Sequence, residues 1–241
     1  MKRFAVWTVL VCLAMPALAK ADSGNDLDQH VVGAWTLEMT DPEGVRRTPM
    51  VIVGRQYEKY VAWYIGKDQP EAIQDVQLKG ETLVGSLKPQ ERPGITVTLE
   101  ATWTGDGKCQ GTAKYGDNAG NSGSFGFTGQ RVPMSEFDEV STWKLSFVSP
   151  DHEKHEPTLT VVTKDGKMYA WYGSRDHQLP ARSLNVQGGT AVVSLTAQTA
   201  EGEQIDVTFR GTVTDDTVEG TVEYQVGSES GSFPFEGKRE S

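Results

Sequence analysis

Apolar and polar positions alternate with a period of two along most of the chain beyond residue 33. Ile95, Val97, Leu99, Ala101 and Trp103 fall on one side, and Thr96, Thr98, Glu100 and Thr102 on the other. Ile205, Val207, Phe209, Gly211 and Val213 alternate in the same way with Asp206, Thr208, Arg210 and Thr212. Such a run predicts an antiparallel strand with one dry and one wet face. Trp35, Leu37 and Met39 share a face, as do Trp143, Leu145 and Phe147. No segment carries a helical period long enough to matter.

The strands come in two sets. Ser122-Gly123-Ser124-Phe125-Gly126-Phe127-Thr128-Gly129-Gln130-Arg131 returns as Ser230-Gly231-Ser232-Phe233-Pro234-Phe235-Glu236-Gly237-Lys238-Arg239. Each copy closes a segment that opens on a tryptophan, Trp35 or Trp143. Inside the segments, Tyr60-Val61-Ala62-Trp63-Tyr64 matches Met168-Tyr169-Ala170-Trp171-Tyr172. Lys79-Gly80-Glu81, Gln187-Gly188-Gly189 and Gly105-Asp106-Gly107 supply hairpin turns between the predicted strands. The chain therefore divides into a first β-repeat at 33–131, a linker at 132–140 and a second β-repeat at 141–241. About eight short strands fall in each repeat, enough to close an antiparallel meander barrel and remove exposed edges. The expected fold class is all-β, two tandem barrels, with two small β-sandwiches as the alternative.

Composition narrows the setting. Among 241 residues, 33 are acidic and 23 basic, a formal charge of -10, which disfavours nucleic acid or an anionic membrane surface as partner. Lys2 and Arg3, the apolar run from Phe4 to Met15 and the small-x-small site Ala17-Leu18-Ala19 predict a secretory signal peptide at 1–19. Ala19-Lys20-Ala21 offers a second cleavage site, and residues 20–32 read as a polar lead-in. The expected location is periplasmic or secreted, and no later stretch is long and apolar enough to span a bilayer. Beyond the signal peptide the chain holds one cysteine, Cys109, on the inward side of its strand opposite Val218 in the repeat alignment. Burial and slow reaction are expected of it.

The first and last strands carry a resemblance. Gly33-Ala34-Trp35 with Arg131 resembles the lipocalin and avidin-like (calycin) barrels, in which G-x-W opens the first strand and a late arginine lies over the tryptophan at the closed end. Trp143 with Arg239 is the second instance, with Ser141 where the glycine would be and Thr142 for the small neighbour. The repeat endings are also similar to those of tandem repeats of exported bacterial proteins that end in G-x-F-x-G-x-R. These resemblances imply a calycin-like barrel, a bacterial periplasmic setting and small-ligand binding. They also imply that Arg131 and Arg239 pack over Trp35 and Trp143, a cation–π contact worth up to ~2 kcal/mol when desolvated.

Motifs for catalysis or metal binding are sparse. His152 and His155 read as solvated turn residues, because a zinc site needs further ligands converging on them. The stretch from Asp117 to Ser122 has oxygen-bearing side chains near Gly120 but lacks the spacing of a calcium loop, so a flexible hairpin loop is expected. Ser124 and Ser232 lie in Gly-rich surroundings without a nucleophile elbow or a placed base. No enzyme activity, metal or cofactor is therefore expected.

Aromatic residues are the candidates for binding: Trp63, Tyr64, Trp171 and Tyr172. Each adjacent pair puts one ring on each sheet face. Either Trp63 and Trp171 fill the barrels while Tyr64 and Tyr172 pack outside, or the set forms a groove or barrel mouth for an apolar or sugar-like ligand. The function expected is a non-enzymatic exported binding or accessory module of the bacterial envelope, with a small ligand or an envelope protein as partner. A purely structural tandem domain is the alternative. An open barrel interior favours ligand binding, and a packed one favours a scaffold.

Overall fold

A computed structural model describes residues 30–66, 70–90, 92–150, 152–174, 177–199 and 202–240. The predicted signal peptide and residues 20–29 of the lead-in lie outside the described residues. The described residues form two compact units, 30–134 and 135–240.

The first unit contains β1 (Gly33–Thr40), β2 (Arg46–Arg47), β3 (Met50–Gln56), β4 (Lys59–Ile65), β5 (Pro70–Lys79), β6 (Thr82–Leu87), β7 (Ile95–Gly105), β8 (Lys108–Asp117) and β9 (Ser122–Arg131). β1 pairs with β3, and each strand from β3 to β9 pairs antiparallel with the next. β9 then returns to β1, with Trp35 opposite Arg131 and Met39 opposite Phe127. Eight strands thus close an antiparallel barrel, with β2 as an outer strand beside β1. Closure leaves these strands paired on both sides, which removes the edge that an isolated sheet would expose.

The period-two pattern fills that barrel. Trp35, Leu37 and Met39 from β1, Val51 and Val53 from β3, and Cys109 and Ala113 from β8 belong to one buried cluster. Gly111 sits between the last two because a Cβ there would overlap the Phe127 ring and the Glu100 carbonyl. Cys109 is 4 % exposed, and burial pushes its thiol up to a pKa of about 11.

The second unit contains β10 (Glu139–Val148), β11 (Lys154–His155), β12 (Thr158–Lys164), β13 (Lys167–Ser174), β14 (His177–Pro180), β15 (Ser183–Gln187), β16 (Thr190–Gln198), β17 (Gln204–Thr214), β18 (Thr217–Val226) and β19 (Glu229–Arg239). β10 begins inside the stretch expected to be linker, because Glu139 and Val140 pair with Thr163 and Val162. β19 returns to β10 in the register of the first unit, Trp143 opposite Arg239 and Phe147 opposite Phe235. β14 pairs with β13 and β15 with β16, so the two occupy the place that β5 fills alone. Between them the Ala181 N–H donates to the Ala170 carbonyl and the Arg182 N–H to the Ser194 carbonyl. Phe147, Tyr172, Phe209, Phe233 and Phe235 form a buried aromatic cluster with ring centroids 5.2–6.2 Å apart.

Two turns depart from expectation. His155 is 6 % exposed rather than solvated, and its Nε2 lies 2.6 Å from Ser149 Oγ. The pair replaces the Asp41–Arg47 ion pair of the first unit, which braces the matching turn at 2.6 Å. Asp117 is also committed to its own loop. Its carboxylate accepts from the N–H groups of Ala119 and Asn121 and from Asn121 Nδ2, which makes the turn ordered.

Candidate functional site

The two units differ at the end where each opening tryptophan sits. In the first unit that end is sealed. Trp35 is 2 % exposed, its Nε1 donates to the Val31 carbonyl at 2.9 Å, and Trp103 meets it edge-on with centroids 5.5 Å apart. The Arg131 guanidinium stands 5.9 Å from the Trp35 ring and donates to the Val32 carbonyl. Gly33 makes that seat available: its φ is 143°, and a Cβ there would lie 2.9 Å from Arg131 Nη2. Tyr60 and Leu83 pack from the side. About 40 Å³ of internal space remains.

In the second unit five of these positions change. Glu139 stands in place of Val31, Ser141 of Gly33, Met168 of Tyr60, Ala191 of Leu83 and Val213 of Trp103. Two aromatic rings and a valine plug are lost together, and the larger side chains of Leu159, Val193, Phe209 and Val218 do not refill the space. The result is a cavity of about 380 Å³ in the second unit. Leu145, Leu159, Val193, Phe209 and Phe235 line its interior, Trp143 and Val213 its upper wall. Glu139, Ser141, Met168 and Arg239 surround the mouth. The volume falls in the range of small-molecule sites, which are apolar with a few polar groups at fixed places.

The expected stacking of Arg239 over Trp143 is absent, and this corrects the reading drawn from the resemblance. Arg239 is exposed, and its guanidinium makes no hydrogen bond or ion pair among the described residues. Ser141 stands where Gly33 does in the first unit, and it does not share the positive φ that seats Arg131 there. Its Oγ instead accepts a hydrogen bond of 3.3 Å from Trp143 Nε1.

The four sequence candidates lie elsewhere. Tyr64 packs against the first core and Tyr172 is 1 % exposed against Phe209, so the tyrosines face inward. Burial raises the Tyr172 phenol far above its ordinary pKa. Trp63 is buried outside the interior cluster, and Trp171 meets Phe137 edge-on at 5.9 Å. The arrangement with tryptophans inside and tyrosines outside is thus reversed, because strand alternation places Ala62 and Ala170 inward and their neighbours outward. None of the four lines the 380 Å³ cavity. The residues that do were visible in the repeat alignment as differences, above all Val213 against Trp103.

A wider concavity of about 850 Å³ lies on the first unit, lined by Glu38, Thr82, Glu100, Thr102, Gln110 and Thr128 among others. Its carboxylates already pair with Arg46 and Lys114. Among the described residues no three His, Cys, Asp or Glu side chains gather as metal ligands, and no helix is long and apolar enough to cross a membrane.

No family model matches the chain, and no curated protein matches it. Among solved structures it is similar to a candidate outer membrane protein from Bacteroides fragilis at 11 % identity, covering 89 % of this chain and 99 % of that one with a TM-score of 0.32. It is also similar to the Burkholderia oklahomensis agglutinin at 12 % identity, covering 89 % and 99 %, with a TM-score of 0.27. A third is a protein of unknown function from Nostoc punctiforme at 11 % identity, covering 88 % and 97 %, with a TM-score of 0.24. With TM-scores this low, none of these likenesses bears on what this chain binds.

Proposed function

We propose that the chain is a non-enzymatic, exported binding module whose second unit is an eight-stranded barrel holding a small, mainly apolar ligand. The observation that carries this is the contrast in space at equivalent ends, about 380 Å³ in the second unit against about 40 Å³ in the first. In this reading β14 and β15 act as one interrupted strand, which closes the second barrel as β5 closes the first. The first unit is the same barrel with its ligand space filled by its own side chains. A cavity this apolar would hold water poorly, since its interior offers few hydrogen-bond partners. An apolar ligand gains free energy there by leaving water.

The signal-peptide pattern at 1–19 supports export, and the acidic balance supports a partner other than nucleic acid. Ser149 and His155 are within hydrogen-bond reach of each other, but both are buried, as is the lone thiol of Cys109, so none is presented to a substrate, which favours binding over catalysis.

The test is a fluorescence titration with N-phenyl-1-naphthylamine, a neutral apolar probe. One saturable site per chain is expected, with a dissociation constant on the order of micromolar and energy transfer from Trp143 that weakens in Trp143→Phe. Absence of saturable binding would favour the purely structural alternative.

A further inference from the structure

The cavity grades from an apolar floor to a mouth with specific donors, and this gradation describes the ligand. Leu145, Phe209 and Phe235 below offer no polar side-chain group, so the buried part of the ligand carries none either. At the lip, Trp143 and Arg239 are directly opposed across β10 and β19. The Arg239 guanidinium has no hydrogen bond or ion pair among the described residues, although its counterpart Arg131 is engaged with Val32 and Trp35. Ser141 accepts from Trp143 Nε1, which leaves its own hydroxyl proton to donate outward. Two donors therefore stand at one lip, beside the indole that forms the cavity wall.

Glu139 is the carboxylate that lines this mouth, while Asp216, whose carbonyl accepts from the Arg239 N–H, lies in the adjoining turn and Glu240 follows Arg239. Glu139 precedes Trp143 by four residues on an extended strand, which places it about 13 Å further along the strand direction. A head group level with Trp143 thus meets Arg239 and Ser141 before it meets Glu139.

We infer that the second unit selects amphiphiles with one apolar body and one anionic acceptor group, which Arg239 pairs and the Ser141 hydroxyl hydrogen-bonds. This rests on the binding reading above and adds the ligand's polarity and orientation to it. The apolar body enters first, and the anionic group stays at the lip, where the guanidinium can satisfy it without being desolvated. A carboxylate matches the fork of Arg239 in both charge and geometry. Because the unit carries many acidic groups, Asp216 and Glu240 near Arg239 among them, an anion is held by the Arg239 and Ser141 side chains and not by the overall field.

Calorimetric titrations with octanoate, octanol and octylamine separate the possibilities, since the three share one chain and differ in head group. Octanoate should bind about threefold to fivefold more tightly than octanol, and octylamine most weakly. Arg239→Gln should remove the preference for octanoate, with octanoate affinity falling much more than octanol affinity. Its exposed position means that the fold is not at stake, and an unchanged urea midpoint verifies this. Equal affinity for octanoate and octanol, or tighter binding of octylamine, would overturn the anionic assignment while leaving the binding barrel in place. No binding of any of the three would remove both.

Discussion

Gly33 and Arg131 share one space: a Cβ on Gly33 would lie 2.9 Å from the Arg131 Nη2 that lies near Trp35. The second unit has a side chain at the equivalent place, Ser141, and its arginine is exposed. The arginine is seated where glycine takes a positive φ and exposed where Ser141 does not.

Introducing that side chain into the first unit should release its arginine. Gly33→Ser also strains a backbone with φ of 143°, so a loss of about 1–3 kcal/mol is expected in urea unfolding. Arg131→Lys keeps the charge but loses the planar surface, and should cost roughly 1 kcal/mol. Unfolding midpoints equal to the wild type for both variants would show that the seat contributes nothing.

Cys109 should resist modification. It is buried, with its pKa raised to about 11 by desolvation, so little thiolate forms at neutral pH. Labelling with a disulfide reagent at pH 8 should proceed slowly and accelerate in step with unfolding as urea is added. Immediate labelling of the native protein would contradict this.

Ser149 and His155 form a buried hydrogen-bonded pair that holds the turn after β10. Ser149→Ala leaves a buried ring nitrogen without this partner, and a cost of about 1–3 kcal/mol is expected. The check is the urea midpoint, with Asp41→Ala on the matching turn as a comparison that removes an ion pair with one exposed partner.

Acid should open the Asp117 turn. Hydrogen bonds from the Asn121 side chain, then from the Asn121 backbone, hold its carboxyl below the ordinary value of 3.8. A depressed carboxylate pKa means that the contribution is fully present above that ordinary value and lost as pH falls through the folded-state value. The carboxyl resonance of Asp117 should titrate below the usual range, and the Asn121 amide should exchange faster once it does. An ordinary titration midpoint would show that the loop's hydrogen bonds do not hold the charge.

Much of the architecture was legible in the chain because strand alternation and the duplicated ending are local signals. Trp35 and Trp143, read as equivalent from sequence, occupy the same register against Arg131 and Arg239. The facing of Trp63 and Tyr64 was not legible, since neighbouring aromatics leave the inward parity undecided. Ala62 could have settled it, because a small residue suits a barrel interior crossed by Trp35 and Trp103. The cavity was hidden for a different reason. It arises from what the second repeat lacks, and a deficit of side-chain volume at Val213, Met168 and Ala191 becomes visible only once topology brings those strands to one end.

Position 213 gives the most direct test of whether side-chain volume at this end separates a binding barrel from a filled one. Val213→Trp restores the ring that Trp103 supplies in the first unit, and there is room for it in about 380 Å³. The N-phenyl-1-naphthylamine titration should then lose saturable binding, with the urea midpoint of the variant equal to or above that of the wild type. Binding of the probe to Val213→Trp with wild-type affinity would contradict the account.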